Sequence, residues 1–139
     1  MKKLLLLLVI IGFASSQTFA QNYPATDPDW EVPVKFDKET HDYGSIPFES
    51  DGSSTFTFTN TGKEPLIIIA ANASCGCTVP QYSKEPIAPG KTGTITVTYD
   101  TKRVGAINKN VNVVFQNAAK SRTGSKIIFI TGNVLAKVE

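Results

Sequence analysis

The sequence predicts an all-β domain, an immunoglobulin-like antiparallel β-sandwich of about seven strands. Three observations carry that expectation. From Val34 onward apolar residues recur with a period of two, turn residues interrupt the pattern at short intervals, and no stretch after the first twenty residues supports a helix.

Taken in order, short strands are expected at Val34–Phe36 and over residues 41–43. In residues 55–59, Phe56 and Phe58 share one face while Thr55, Thr57 and Thr59 share the other, because successive side chains of a strand point to opposite sides. The phenylalanines therefore face inward. Residues 66–71 are apolar on both faces, as are residues 127–130, and both read as central strands covered on each side. Residues 94–99 return to alternation, with Ile95, Val97 and Tyr99 inside and Thr94, Thr96 and Thr98 in water. A last inward row comprises Ile107, Val111, Val113 and Phe115, set against Asn108, Asn110 and Asn112. Turn chemistry separates these runs: Asn60-Thr61-Gly62 after the phenylalanine strand, Pro89-Gly90 before the threonine strand, and the polar stretch 117–125 closing a late hairpin. An antibody-type domain would show a cysteine, a core tryptophan and a distant second cysteine, a pattern this chain lacks.

The chain divides into three parts. Residues 1–20 read as a secretory signal peptide: Lys2 and Lys3 precede an apolar run over residues 4–13, and Thr18-Phe19-Ala20 offers a small-residue cleavage site before Gln21. The apolar run is shorter than the roughly 20 residues a spanning helix needs, so no membrane span is expected after signal cleavage. A lipid anchor would need a cysteine directly after the cleavage point, and the nearest is Cys75. Residues 21–33 form an extended Pro-rich lead, in which Trp30 is expected to pack on the flank of the domain. Residues 34–139 make the sandwich. The expected destination is the bacterial periplasm or the exterior.

Charge excludes several partners. Lys plus Arg number 14 against 12 for Asp plus Glu, and Lys2 and Lys3 account for the whole excess. The exported chain is formally neutral with scattered basic residues, whereas nucleic-acid binding leaves a strongly basic balance and anionic lipid attracts clustered cations. Another envelope or secreted protein is the expected partner class.

Five separated motifs occur in order: His41-Asp42-Tyr43-Gly44, then residues 56–62, then Ala73-Ser74-Cys75-Gly76-Cys77-Thr78, then Ile87-Ala88-Pro89-Gly90-Lys91, then Val97-Thr98-Tyr99-Asp100. Together they resemble a family of secreted bacterial proteins of unknown function, over about residues 36–134. More distantly the chain is similar to the immunoglobulin-like modules of major sperm protein and of cilium and centrosome proteins. Those modules act by binding, so the resemblance implies a fold and an interaction role and transfers no catalytic residue.

Cys75 and Cys77 are the only cysteines, and Gly76 and Thr78 complete their loop. In an extended strand their Cα atoms would lie roughly 6.5 to 7 Å apart, at or beyond the limit of a relaxed disulfide, so a bond requires a bend, which Gly76 is expected to permit. Such a bond would close a very small loop, and its entropic contribution would be small. Three readings stand: two small apolar residues without further role, a thiol-redox pair, or a Cu(I) site. Two thiolates on one face suit Cu(I), while zinc generally takes four ligands and His41 is the only imidazole. The Cys-x-Cys pair followed by a Pro-Gly turn and an inward-alternating strand also resembles the copper-delivery proteins of cytochrome oxidase assembly, which implies Cu(I) as a ligand.

No enzyme class is indicated. His41 adjoins Asp42, but neighbours in a strand face opposite sides, so the pair makes no relay, and His41 reads as a strand-end residue bonding to backbone. A Gly-x-Ser-x-Gly elbow, a phosphate loop and a dinucleotide fingerprint are all missing.

Overall fold

The computed structural model describes residues 26–139; the expected signal peptide, its expected cleavage point and the start of the lead lie outside the described residues. Eight strands follow one another: β1 Val34–Phe36, β2 Thr40–Ile46, β3 Ser53–Asn60, β4 Leu66–Ala73, β5 Thr78–Tyr82, β6 Thr92–Tyr99, β7 Gly105–Asn117 and β8 Thr123–Val134. They form two four-stranded sheets, ordered β1-β3-β6-β5 and β2-β8-β7-β4. The predicted immunoglobulin-like sandwich is borne out, with one strand more than the sequence suggests. All pairs are antiparallel except β2 with β8, which run parallel from Thr40 opposite Phe129 to Ile46 opposite Val134.

The period-two rows build the core. Phe56, Phe58, Ile95 and Val97 from one sheet face Ile68, Val111, Val113, Phe115, Ile128 and Ile130 from the other, and all are essentially inaccessible to water. Phe58 and Phe115 meet edge to face across the sheets with ring centroids 5.2 Å apart, a favoured aromatic geometry. Phe58 lies opposite Gly93 in the ladder, where a Cβ would come within 2.5 Å of its ring. Trp30 packs on the core's flank as expected, close over Gly124 of β8, and Val32 of the lead is buried beside it.

Three details depart from expectation. The unforeseen strand is β5, which contains Pro80; proline lacks the N–H a central strand needs but is tolerated on an edge, and β5 is an edge. The apolar run 66–71 is not a central strand, because β4 closes one side of its sheet. The register slips between Ile68 and Ala70, so Leu66 and Ile68 and then Ala71 and Ala73 pack toward the core; Ala70 is buried as well, and Ile67 and Ile69 are only half-buried. In β8, which is central, Ile128 and Ile130 are buried while Ile127 and Phe129 stay 49% and 40% exposed on the outer face.

Each of the four edge strands among the described residues is interrupted. β1 has three residues, β2 slips register between Asp42 and Ser45, β4 carries its bulge and has Leu66 taken up by Ile87, and β5 holds Pro80. Short, bulged or proline-bearing edges resist pairing with another chain.

Two asparagines tie the turns together. Asn60 is fully buried; its Nδ2 donates to the carbonyls of Glu64 at 2.8 Å and Ile87 at 2.9 Å, and its Oδ1 accepts from Gly62 N at 2.9 Å. At the β7–β8 turn Asn117 Oδ1 accepts from Ser121 N and Arg122 N, while Nδ2 donates to Glu64 Oε2 and Ser121 Oγ.

Candidate functional site

The link between β4 and β5 crosses from one sheet to the other in four residues, 74–77. Both of its ends are fastened to strands distant in the chain. Ser74 N donates to Asn110 O at 2.9 Å, and Asn110 N donates back to Ser74 Oγ at 3.2 Å, which binds the start of the loop to β7. At the far end Cys77 O accepts from Asp100 N at 2.8 Å, just beyond β6. Between these anchors Thr78 N donates to Cys75 O at 3.4 Å, closing a four-residue turn.

That turn brings the cysteines together as a disulfide, with Cα atoms 5.3 Å apart. The separation lies inside the ordinary range for such bonds, so the bend expected from the sequence is present. Gly76 does not make it through special backbone freedom: its φ is outside the left-handed region occupied by Gly44, Gly90, Gly105 and Gly132, and a Cβ there would meet nothing within 4 Å. The bend comes from the hydrogen-bonded turn instead. Gly76→Ala is therefore expected to leave the fold and the disulfide intact, with a stability change within about 0.5 kcal/mol, measured by urea unfolding and thiol titration.

The two sulfurs sit in different surroundings. Cys77 is 3% exposed and belongs to the core, whereas Cys75 is half-buried at its margin. Cys77 N donates to Cys75 Sγ at 3.2 Å, and the buried Thr78 places Oγ1 3.8 Å from each sulfur. The Thr78 hydroxyl thus lies within reach of both sulfurs.

His41 is not brought to this loop. It stands on β2, and β2 and β4 close opposite sides of one sheet. Nor does it bond to backbone, as the sequence suggested: Lys38 Nζ donates to His41 Nδ1 at 2.8 Å, and the ring packs edge to face on Tyr43. Asp42 turns to the other face, where Oδ1 accepts from Gly44 N at 2.8 Å, so no His-Asp relay forms. Tyr43 hydroxyl donates to Gly52 O, and burial raises its pKa above the usual phenol value.

Partial burial, then the Lys38 ammonium, hold His41 below the ordinary imidazole value of 6.5. Below 6.5 the unfolded chain thus binds a proton that the folded one resists, and stability falls as pH drops through that value. Urea unfolding between about pH 7.5 and 5.5 is expected to show this fall, and His41→Asn to flatten it.

Among the described residues no group of three or more His, Cys, Asp and Glu converges to hold a metal. The loop itself offers two sulfurs, joined to each other. Thiolates ligate soft ions and disulfide sulfurs do so poorly, so the pair fits Cu(I) only after reduction. Asn110 and Asp100, which fasten the loop, were not read as site residues. Asn110 is one of an alternating row of asparagines, and nothing in its local pattern marks its role.

Comparison with known proteins agrees with the fold. A family model described as a protein of unknown function (DUF1573) matches residues 34–134. No curated protein matches the sequence. Among solved structures, the PapD-like domain 7 (ASH domain) of human CEP192 is similar with a TM-score of 0.61 at 10% identity, over 84% of this chain and 94% of that domain. WR4, a major sperm protein family member of C. elegans, matches with a TM-score of 0.52 at 10% identity, over 75% of this chain and 99% of WR4. The Vibrio cholerae protease VesB matches with a TM-score of 0.62 at 16% identity over 73% of this chain. This chain spans about a third of the length of VesB, 32%. At such identities the likeness is one of fold.

Proposed function

The chain belongs to the DUF1573 family of proteins of unknown function, and from that premise we propose that it is a non-catalytic interaction module of the bacterial periplasm or exterior. The signal-like residues 1–20 support the address. The observation that carries the role is the Cys75–Cys77 loop, firmly fastened at both ends yet with Gly76 exposed and Cys75 half-buried. Rigid, partly apolar loops bind with little ordering cost. Edge-strand pairing, the other mode open to a small sandwich, is discouraged by the interruptions in all four described edges.

A photo-crosslinking residue at Gly76 tests this, since a side chain there meets open space. In native envelope extracts, a discrete adduct to one protein from position 76, with none from Thr94 on the outer face of β6, is the expected result. Equal capture at both positions, or none at 76, would count against the loop as the contact.

A second reading is Cu(I) binding through the reduced pair, favoured because both sulfurs share one turn. The reduced protein, offered Cu(I) without oxygen and against a strong chelator, should then retain one copper by native mass spectrometry, and the double serine variant none. Retention of no copper would remove this reading.

A further inference from the structure

We infer that the Cys75–Cys77 disulfide exchanges with a pair of thiols on another exported polypeptide, Cys75 being the sulfur attacked and Cys77 the buried sulfur that leaves. The inference deepens the proposed role of the loop and rests on that reading, since it assigns what the loop does to the partner it meets.

Access decides which sulfur reacts. Cys77 is 3% exposed and sits among core residues, while Cys75 is half-buried. A thiolate attacks along the S–S axis, from the side opposite the leaving sulfur. Cys75 lies at the margin of the core and Cys77 within it, so a thiolate from outside can approach Cys75 and is kept from Cys77.

Two features favour the reduced state of the pair, and so make the disulfide an oxidant of its partner. A bond between residues two apart closes a minimal loop, so it gains little from chain entropy. When the mixed disulfide resolves, the charge that returns to Cys75 Sγ is met by the Cys77 N–H, 3.2 Å away in the oxidised loop, and the Thr78 hydroxyl, 3.8 Å away. Hydrogen bonds to a thiolate lower its pKa and make it a better leaving group. The anchors at Ser74 and Cys77 do not involve the sulfurs, so opening the bond leaves both ends of the loop in place.

The steps balance as follows. A partner thiolate forms a bond to Cys75 Sγ while the Cys75–Cys77 bond breaks, and its electron pair passes to Cys77 Sγ, which takes a proton from water. A second thiolate of the same partner attacks the partner sulfur of the mixed disulfide, and that electron pair returns to Cys75 Sγ. The partner dithiol loses two electrons and becomes a disulfide; Cys75 and Cys77 gain them and become thiols.

The test uses the oxidised, exported form of the protein and a reduced model peptide carrying two cysteines. Acid quenching early in the reaction, followed by digestion and fragmentation of the adduct, is expected to locate the mixed disulfide on Cys75 in at least about a tenfold excess over Cys77. Cys77→Ser, reacted with a one-cysteine peptide held as its symmetric disulfide, should accumulate a stable adduct because no second thiol resolves it, and Cys75→Ser should react at least about tenfold more slowly. Wild-type mapping decides the point if either variant fails to fold. An adduct on Cys77, equal partition between the sulfurs, or no transfer to the peptide would overturn the inference. A model peptide needs no native docking surface, so failure here is distinct from failure of the Gly76 crosslink.

Discussion

Phe58→Ala is expected to lower the unfolding free energy by about 4 kcal/mol, the largest loss from any single side chain of the domain. The ring is inaccessible to water and touches three elements: Phe36 with centroids 5.5 Å apart, Phe115 at 5.2 Å across the sheets, and the bare backbone of Gly93. Truncation would leave a cavity that the surroundings cannot fill, because Gly93 has no side chain to move in and Phe115 is fixed within a long ladder. Lost transfer energy and an uncollapsed cavity then add. A domain of this size has about 5–15 kcal/mol in hand, so the variant should still fold in the cold but melt on the order of 15 °C lower. Urea unfolding with an unchanged slope and a much lower midpoint is the expected signature. A loss below about 1.5 kcal/mol would mean that the sheets close over the gap and that the core is softer than its packing indicates.

Asn60→Leu should cost about 3 kcal/mol although it adds apolar surface to a buried site. The amide satisfies three backbone groups at once, the carbonyls of Glu64 and Ile87 and the N–H of Gly62. Leucine satisfies none. Its carbonyl and N–H also pair with Gly90 and Lys91, so the side chain and main chain of one residue join the β3–β4 turn to the Pro-Gly turn. Asn60→Asp would set a buried carboxylate against both carbonyls and should cost at least as much as the leucine variant. Equal stabilities for Leu and the native residue would show that water replaces the lost partners.

The alternating strands were legible because a strand with one wet face writes its geometry as a period of two. Phe56 with Phe58, and Val111 with Val113 and Phe115, all lie inward as that period requires. Legibility failed where one run obeyed two rules. Residues 66–71 are apolar throughout although β4 is an edge: Ile67 and Ile69 are only half-buried, the register slips between Ile68 and Ala70, and a pattern read one residue at a time cannot separate that from a strand covered on both faces. Asn60 and Asn117 read as turn residues in the sequence, and each stands at the last position of a strand where a turn leaves it. That they are also buried depends on carbonyls and amides brought from elsewhere in the chain, and polarity alone says nothing of those. At the site, the spacing of Cys75 and Cys77 limited the chemistry to a few choices. The turn that closes the pair, and the difference in burial between the two sulfurs, arise from Asn110, Asp100 and the core, all of them remote in sequence.

The single parallel pairing sets the order in which the chain can fold. β2, among the first strands of the chain, has its one sheet neighbour among the described residues in β8, the last. Until β8 arrives, β2 has nothing to pair with, and the hydroxyl of Tyr43 has only the opposite sheet to hold it. The β7–β8 hairpin forms from neighbours in sequence and is the natural nucleus of its sheet; β2 can dock only onto that finished hairpin. Contacts that span most of a domain slow folding, because a large loop must close before any of them is gained. The chain therefore spends its longest unfolded interval with its N-terminal strands made and waiting, and its rate of maturation is governed by the arrival of its C-terminal strand.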